Sequence, residues 1–165
     1  EITGTTSYDG YGAGIYISYG STLTVSDSTV TYNTITAETG AGLGAGIMSY
    51  SETTSTDTQS TITITGSEIS NNEITTADSS SGFPSFGGAG LYMMNSLSVS
   101  VSDSQIKDNT VSTAGYAFAG GVFLYYCDEA SFTNSTVSGN IATTTENDSV
   151  AGGGGAGTGR NFNYF

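Results

Sequence analysis

The residue types that carry acid–base or nucleophilic chemistry are scarce in this chain. Its 165 residues include no His, one Cys and only two cations, Lys107 and Arg160. Elimination on an acidic polysaccharide needs a cationic base and cationic clamps, and these two residues lie in different repeats of the sequence. Glycoside hydrolysis needs two carboxylates facing each other across the scissile bond. Asp27 and Asp103 hold equivalent places near Glu68, but the other equivalents are Gly66 and Asn134. That mixture is a turn preference rather than a carboxylate pair. Asp128-Glu129 reads as a solvated loop. Without His there is no Ser/His or Cys/His constellation. Cys127 has no second thiol for a disulfide and reads as a small hydrophobe beside Tyr125 and Tyr126. The run Gly152–Gly157 lacks the Gly-Lys-Ser/Thr ending of a phosphate loop. These residues argue against an enzyme and imply no cofactor. Calcium, held by Asp, Asn and backbone oxygens at turns, is the one metal candidate, and no Asp-x-Asp-x-Asp-Gly run supports it.

Charge narrows the partners. Fifteen acidic against two basic residues give a net charge of −13. Nucleic acid binding needs clustered Lys/Arg, and so does an anionic membrane surface. An acidic exterior keeps particles soluble and attracts divalent cations. No stretch reaches the apolar length of a membrane-spanning helix, so membrane insertion is not expected. Ser and Thr make up about a third of the chain. The patterned apolar residues separate it from a disordered stalk. The start at Glu1, with no signal peptide, suggests a processed protein or a segment of a longer one.

The elements that must position any site come from a four-fold repeat. Gly14-Ile-Tyr-Ile17, Leu23-Thr-Val25, Ser28-Thr-Val30 and Asn33 form the first copy. Gly46-Ile-Met-Ser49, Ile62-Thr-Ile64, Ser67-Glu-Ile69 and Asn72 form the second. Gly90-Leu-Tyr-Met93, Val99-Ser-Val101, Ser104-Gln-Ile106 and Asn109 form the third. Gly121-Val-Phe-Leu124, Ala130-Ser-Phe132, Ser135-Thr-Val137 and Asn140 form the fourth. The second apolar residue of each pair precedes its Asn by eight positions in every copy. The opening Gly residues are 32, 44 and 31 residues apart. The excess in the middle copy falls in an insertion at 51–60 and a longer loop around 77–87.

The apolar residues alternate with Thr and Ser, which marks short strands with one buried face. Stacking equivalent segments gives an all-β, right-handed parallel β-helix, with about three strand segments per turn. The repeats lie near 12–45, 46–87, 88–119 and 120–151, with a partial fifth rung at 152–165, in one domain. An antiparallel barrel or sandwich would need two-residue Asn-Gly hairpins, and these are absent. The pattern Gly-Ala-Gly-Ile-Tyr16, or Gly87-Gly-Ala-Gly-Leu-Tyr92, followed by φ-x-φ-x-(Asp/Gly/Asn)-Ser-x-φ-x-x-Asn (φ apolar), resembles the repeats of polymorphic outer-membrane proteins. More broadly it is similar to β-helix surface proteins and adhesins. Where that family carries a bulky residue, often Phe, three before the Asn, this chain has Val30, Ile69, Ile106 and Val137. The resemblance implies an extracellular or cell-surface location and a structural role.

Reading the repeat as columns predicts the interior. It contains Ile15/Ile47/Leu91/Val122, Val25/Ile64/Val101/Phe132 and Val30/Ile69/Ile106/Val137, each side chain worth about 1.5–3 kcal/mol on burial. Asn33, Asn72, Asn109 and Asn140 are expected to form a structural amide ladder at a corner in left-handed geometry. Thr24/Thr63/Ser100/Ser131, with Thr22/Thr61/Ser98/Glu129, make a flat hydroxyl face. Tyr16, Met48, Tyr92 and Phe123, with Tyr50, Met94 and Tyr125 beside them, read as an outward stripe. A large apolar stripe marks a contact surface unless a loop such as 79–87 covers it. Asn134 and Asn147 head two Asn-x-Ser/Thr sequons and are candidate glycan sites on a secreted chain.

The functional expectation is a non-catalytic structural or adhesive protein. It would assemble with itself or with other surface or filament proteins through the stripe and through open end rungs. The alternatives are an ice-binding protein using the Thr/Ser face, and a carbohydrate-binding module using the tyrosines or a polysaccharide-active enzyme.

Overall fold

The computed structural model describes residues 2–3, 10–38, 40–53, 55–77, 86–145, 151–152 and 154–159. Every strand pair among them is parallel and joins equivalent segments of successive repeats, so the chain is a parallel β-helix. No helix occurs among the described residues. Each turn has five strand segments rather than the expected three.

Face one holds Ile15–Ser18, Ile47–Tyr50, Leu91–Met94, Val122–Tyr125 and Ala156–Gly159. Face two holds Thr22–Ser26, Ser60–Thr65, Ser96–Ser102 and Glu129–Thr133. Face three holds Thr29–Thr31, Glu68–Ser70, Gln105–Lys107 and Thr136–Ser138. Face four, absent from the sequence reading, holds Ile2–Thr3, Thr34–Ala37, Glu73–Thr76, Thr110–Thr113 and Ile141–Thr144. Face five, also unexpected, is a stack of two-residue strands: Gly10–Tyr11, Gly42–Leu43, Phe86–Gly87, Ala117–Phe118 and Ala151–Gly152.

The register reproduces the predicted columns: Ile47 pairs with Leu91, Ile64 with Val101 and Ile69 with Ile106. These three columns, with Met93 and Leu124, build the main core inside faces one to three. A second core of Ile35, Ile74 and Val111 with Ala45, Ala89 and Ala117 fills the space behind faces four and five. A register shift on face two, between Ser96 and Ser98, is a bulge next to the insertion at 51–60. That insertion folds onto the turn below it, where the Gly20 amide donates to Thr58 O at 2.7 Å.

The corners are fixed by left-handed residues. Asp27, Gly66, Asp103 and Asn134 have φ between 46° and 59°, as a turn column should. The ladder Asn residues are not themselves left-handed, which corrects the sequence expectation. Their predecessors Tyr32, Asn71, Asp108 and Gly139 take that conformation, with φ from 53° to 64°.

Candidate functional site

The Asn residues form a continuous ladder. Nδ2 of Asn33 donates to Oδ1 of Asn72 at 2.8 Å, and Asn72 and Asn109 repeat the bond upward at 2.9 Å. The same oxygens accept the backbone amides of Asn33, Asn72 and Asn109 at 3.0–3.1 Å. The second amide hydrogen points down, from Asn72 to Val30 O, Asn109 to Ile69 O and Asn140 to Ile106 O, at 2.9–3.1 Å. Each internal Asn therefore satisfies its own amide and two backbone groups of the rung below. Asn72 and Asn109 are fully buried, so the ladder leaves no room for a ligand.

A second ladder was not anticipated, although its residues stand in the repeat. The backbone amides of Ser28, Ser67 and Ser104 donate to the hydroxyls of Ser67, Ser104 and Ser135 at 3.0–3.2 Å. The hydroxyls of this column each donate in turn to the carbonyl two residues before, at 2.6–2.9 Å. The available signal was identity: besides Asn, Ser is the one polar residue unchanged in all four copies.

The aromatic stripe is not an open surface. Met48 and Tyr92 are 1% exposed and Phe123 is 2% exposed, against 45% for Tyr16. The alternation was read correctly, since these side chains point away from the main core. What the sequence did not reveal is that face five folds against the outer side of face one. Leu43, Ala119 and Phe118 pack there with Met48, Tyr92 and Phe123 as a third core. The rings of Tyr92 and Phe123 stack at 5.4 Å and 24°, and Phe118 meets Phe123 at 6.0 Å. Tyr50, Met94 and Tyr125 are half-buried on the rim of this cluster. Face five provides the cover; the loop expected to do so, at 79–87, lies mostly outside the described residues. The Tyr92 hydroxyl has no partner among the described residues of this apolar site, and burial raises its pKa above the usual phenolic range.

The hydroxyl face forms in the expected register: Thr22 and Thr24 pair with Thr61 and Thr63, then Ser98 and Ser100, then Glu129 and Ser131. The acids are dispersed. Asp27 and Asp103 are exposed turn residues, and Asp103 accepts a bond from the exposed Asn134 at 3.3 Å. Glu68 accepts from Ser70 at 2.6 Å and from Lys107 at 3.1 Å, and these bonds lower its pKa. Among the described residues no three His, Cys, Asp or Glu gather around one point. Cys127 is a buried free thiol against Met93 O, and burial pushes its pKa up to about 11. Asn147, Arg160 and Gly153 lie outside the described residues.

One hollow, of about 280 Å³, opens at the first rung between Gly14, Ile15, Thr29, Val30, Thr31 and Asn33. It is the place a preceding rung would occupy. Asn33 Oδ1 and Ser28 Oγ, whose equivalents accept bonds in later rungs, accept none among the described residues. No protein-family model, curated protein or solved structure matches this chain.

Proposed function

We propose that this protein is a non-catalytic structural or adhesive β-helix of the cell exterior, lengthened at its ends by further copies of itself. The observation that carries this reading is the uneven closure of otherwise equivalent columns. Tyr16 is 45% exposed where Met48 one rung up is 1% exposed. In the last full rung Ala130 is exposed and Phe132 and Val137 are half-buried, where Val99, Val101 and Ile106 are sealed. Apolar columns open at the outermost described rungs favour stacking of a further rung. The acidic, hydroxyl-rich exterior and the dispersed acids fit a scaffold better than a catalyst. Burial of Met48, Tyr92 and Phe123 argues against the stripe as the assembly surface and supports the ends instead. Electron microscopy and sedimentation of the full chain from micromolar to millimolar concentration test this. Rods of constant width that lengthen with concentration are expected, and a monomer throughout that range would overturn it.

A second reading rests on the in-register hydroxyl array of face two, which suits an ordered water or ice surface. Thermal hysteresis that disappears in Thr63→Tyr would support it, and its absence at millimolar protein would remove it.

A further inference from the structure

Four buried polar atoms gather at one corner of the coil without a partner among the described residues. They are Nε2 and Oε1 of Gln59, Oγ of Ser60 and Oδ1 of Asn95. Among those residues only two other atoms share this condition, on Tyr92 and Thr113, and they lie elsewhere. None of Gln59, Ser60 and Asn95 is more than 4% exposed. The register brings the three together. Ser60 pairs with Ser96, so Gln59 and Asn95, the residues just before them, reach the corner between faces one and two from successive rungs. Asn95 Nδ2 donates to Ser51 O at 2.5 Å, which fixes this amide with its oxygen as the unmatched atom.

The repeat is altered at the same place. Ser49 stands in an interior column whose other members are Ile17, Met93 and Leu124. It is about two heavy atoms smaller than each of them, roughly the space that one or two waters take. Ser49 is buried there, and its Oγ accepts from Ser96 Oγ at 3.2 Å. The bulge at Ser96 leaves Leu97 without a register partner in the rung below, and a bulge re-aims the side chains around it. Polar atoms, a small residue in an apolar column and a bulge thus coincide where the insertion at 51–60 rejoins the coil.

We propose that this corner is an internal binding site for water, about one or two molecules, enclosed between the second and third rungs. The mixture of atoms selects that ligand. The two amide oxygens accept, the Gln59 NH2 donates and the Ser60 hydroxyl does either. A cation would meet the NH2 hydrogens, and among the described residues no three His, Cys, Asp or Glu gather to hold one. An anion would face both amide oxygens in a chain of net charge −13. Water donates and accepts at once, and a buried water makes about three such bonds. Without it each of these groups would carry the full cost of desolvation. A water joining Gln59 to Asn95 ties the end of the insertion to the rung above it.

Water–protein cross-relaxation in NMR spectra of the full chain tests the site. The Gln59 side-chain amide should show cross-peaks at the water frequency with the sign of a long-lived bound water. Magnetic relaxation dispersion of the water signal counts such waters, and Gln59→Met should lose at least one. The same variant should lower the urea midpoint, because Ser60 and Asn95 lose the water that joins them. If the corner is packed without water, Gln59→Met removes an orphaned amide and raises the midpoint instead. Absent cross-peaks, an unchanged count or a raised midpoint would overturn the site. Exchange of the Gln59 side-chain amide at the rate of an exposed amide would also overturn it, since the corner would then open to bulk solvent. Should Gln59→Met fail to fold, the cross-peaks and the exchange rate of the wild type decide alone.

Discussion

A Cβ placed on Gly46 would stand 3.0 Å from Nδ2 of Asn72 and 2.5 Å from the carbonyl oxygen of Gly90. Two of the residues unchanged in all four copies therefore stand side by side. The ladder amide lies where any larger residue at the opening position would have to go. Gly14 and Gly90 meet Asn33 and Asn109 in the same way.

Gly46→Ala should accordingly destabilise the coil by about 3 kcal/mol or more, because the obstruction is backbone and a buried amide. The corresponding Tm loss is roughly 10 °C for a chain of this size. Gly155 stands on the same column, and among the described residues nothing lies within 4 Å of the place its Cβ would take. Gly155→Ala should therefore change Tm by little. Thermal denaturation of both variants checks the contrast.

Asn72→Ala should cost about 3 kcal/mol, since Val30 O and the Asn33 amide both lose their buried partner. Asn33→Ala removes one donated bond, to Asn72, and should cost about 1 kcal/mol. Urea denaturation compares the pair, and equal losses would mean that an internal rung of the ladder is worth no more than its end.

Tyr32 is 73% exposed at φ 58°, a conformation that a side chain with Cβ adopts only under strain. Gly139 already fills the same place in the fourth rung. Tyr32→Gly should therefore raise stability by about 1 kcal/mol. Denaturant midpoints would show it, and a loss would mean that Tyr32 makes a contact worth more than its strain.

Tyr92→Phe should be neutral or stabilising by about 1 kcal/mol, because it removes a buried hydroxyl without a partner among the described residues. Tyr92→Glu should prevent folding, since it places a carboxylate in a site that is 1% exposed and lined by apolar side chains. Were Tyr92 on an open stripe, the Glu variant would fold and lose only assembly. Circular dichroism of the two variants separates the cases.

The Cys127 thiol should resist a thiol reagent at pH 8 in the folded chain and react after unfolding. Its pKa rises from 9.0 to about 11 through burial. The unfolded thiol ionises first, so stability is unaffected below pH 9 and falls as the pH climbs from 9 to 11. Urea midpoints at about pH 8 and pH 10.5 in wild type and Cys127→Ala check the sign.

The core columns were legible because Val25, Ile64 and Val101 alternate with Thr and Ser at a constant distance from Asn. Faces four and five were not. Thr34–Ala37 reads as polar loop, and Gly42–Leu43 is too short to show any period. Missing face five also hid the cover over Met48 and Tyr92. Alternation tells which side of a strand a residue takes, and says nothing of what packs against that side. The ladder was foreseen from the Asn column, but its left-handed corner falls one residue earlier, at Tyr32, Asn71 and Asp108.

The Asn ladder has a further consequence. From Asn33 to Asn140 every side-chain oxygen faces the rung before it and every ladder-forming N–H faces the rung after it. Aligned amide dipoles add along the axis, and each bond polarises the next. The coil thus acquires an electrical direction that owes nothing to its fifteen carboxylates, negative at Asn33 and positive at Asn140. Reversing the Asn72 amide would break the chain of polarisation as well as four bonds, so its orientation is set by the whole stack.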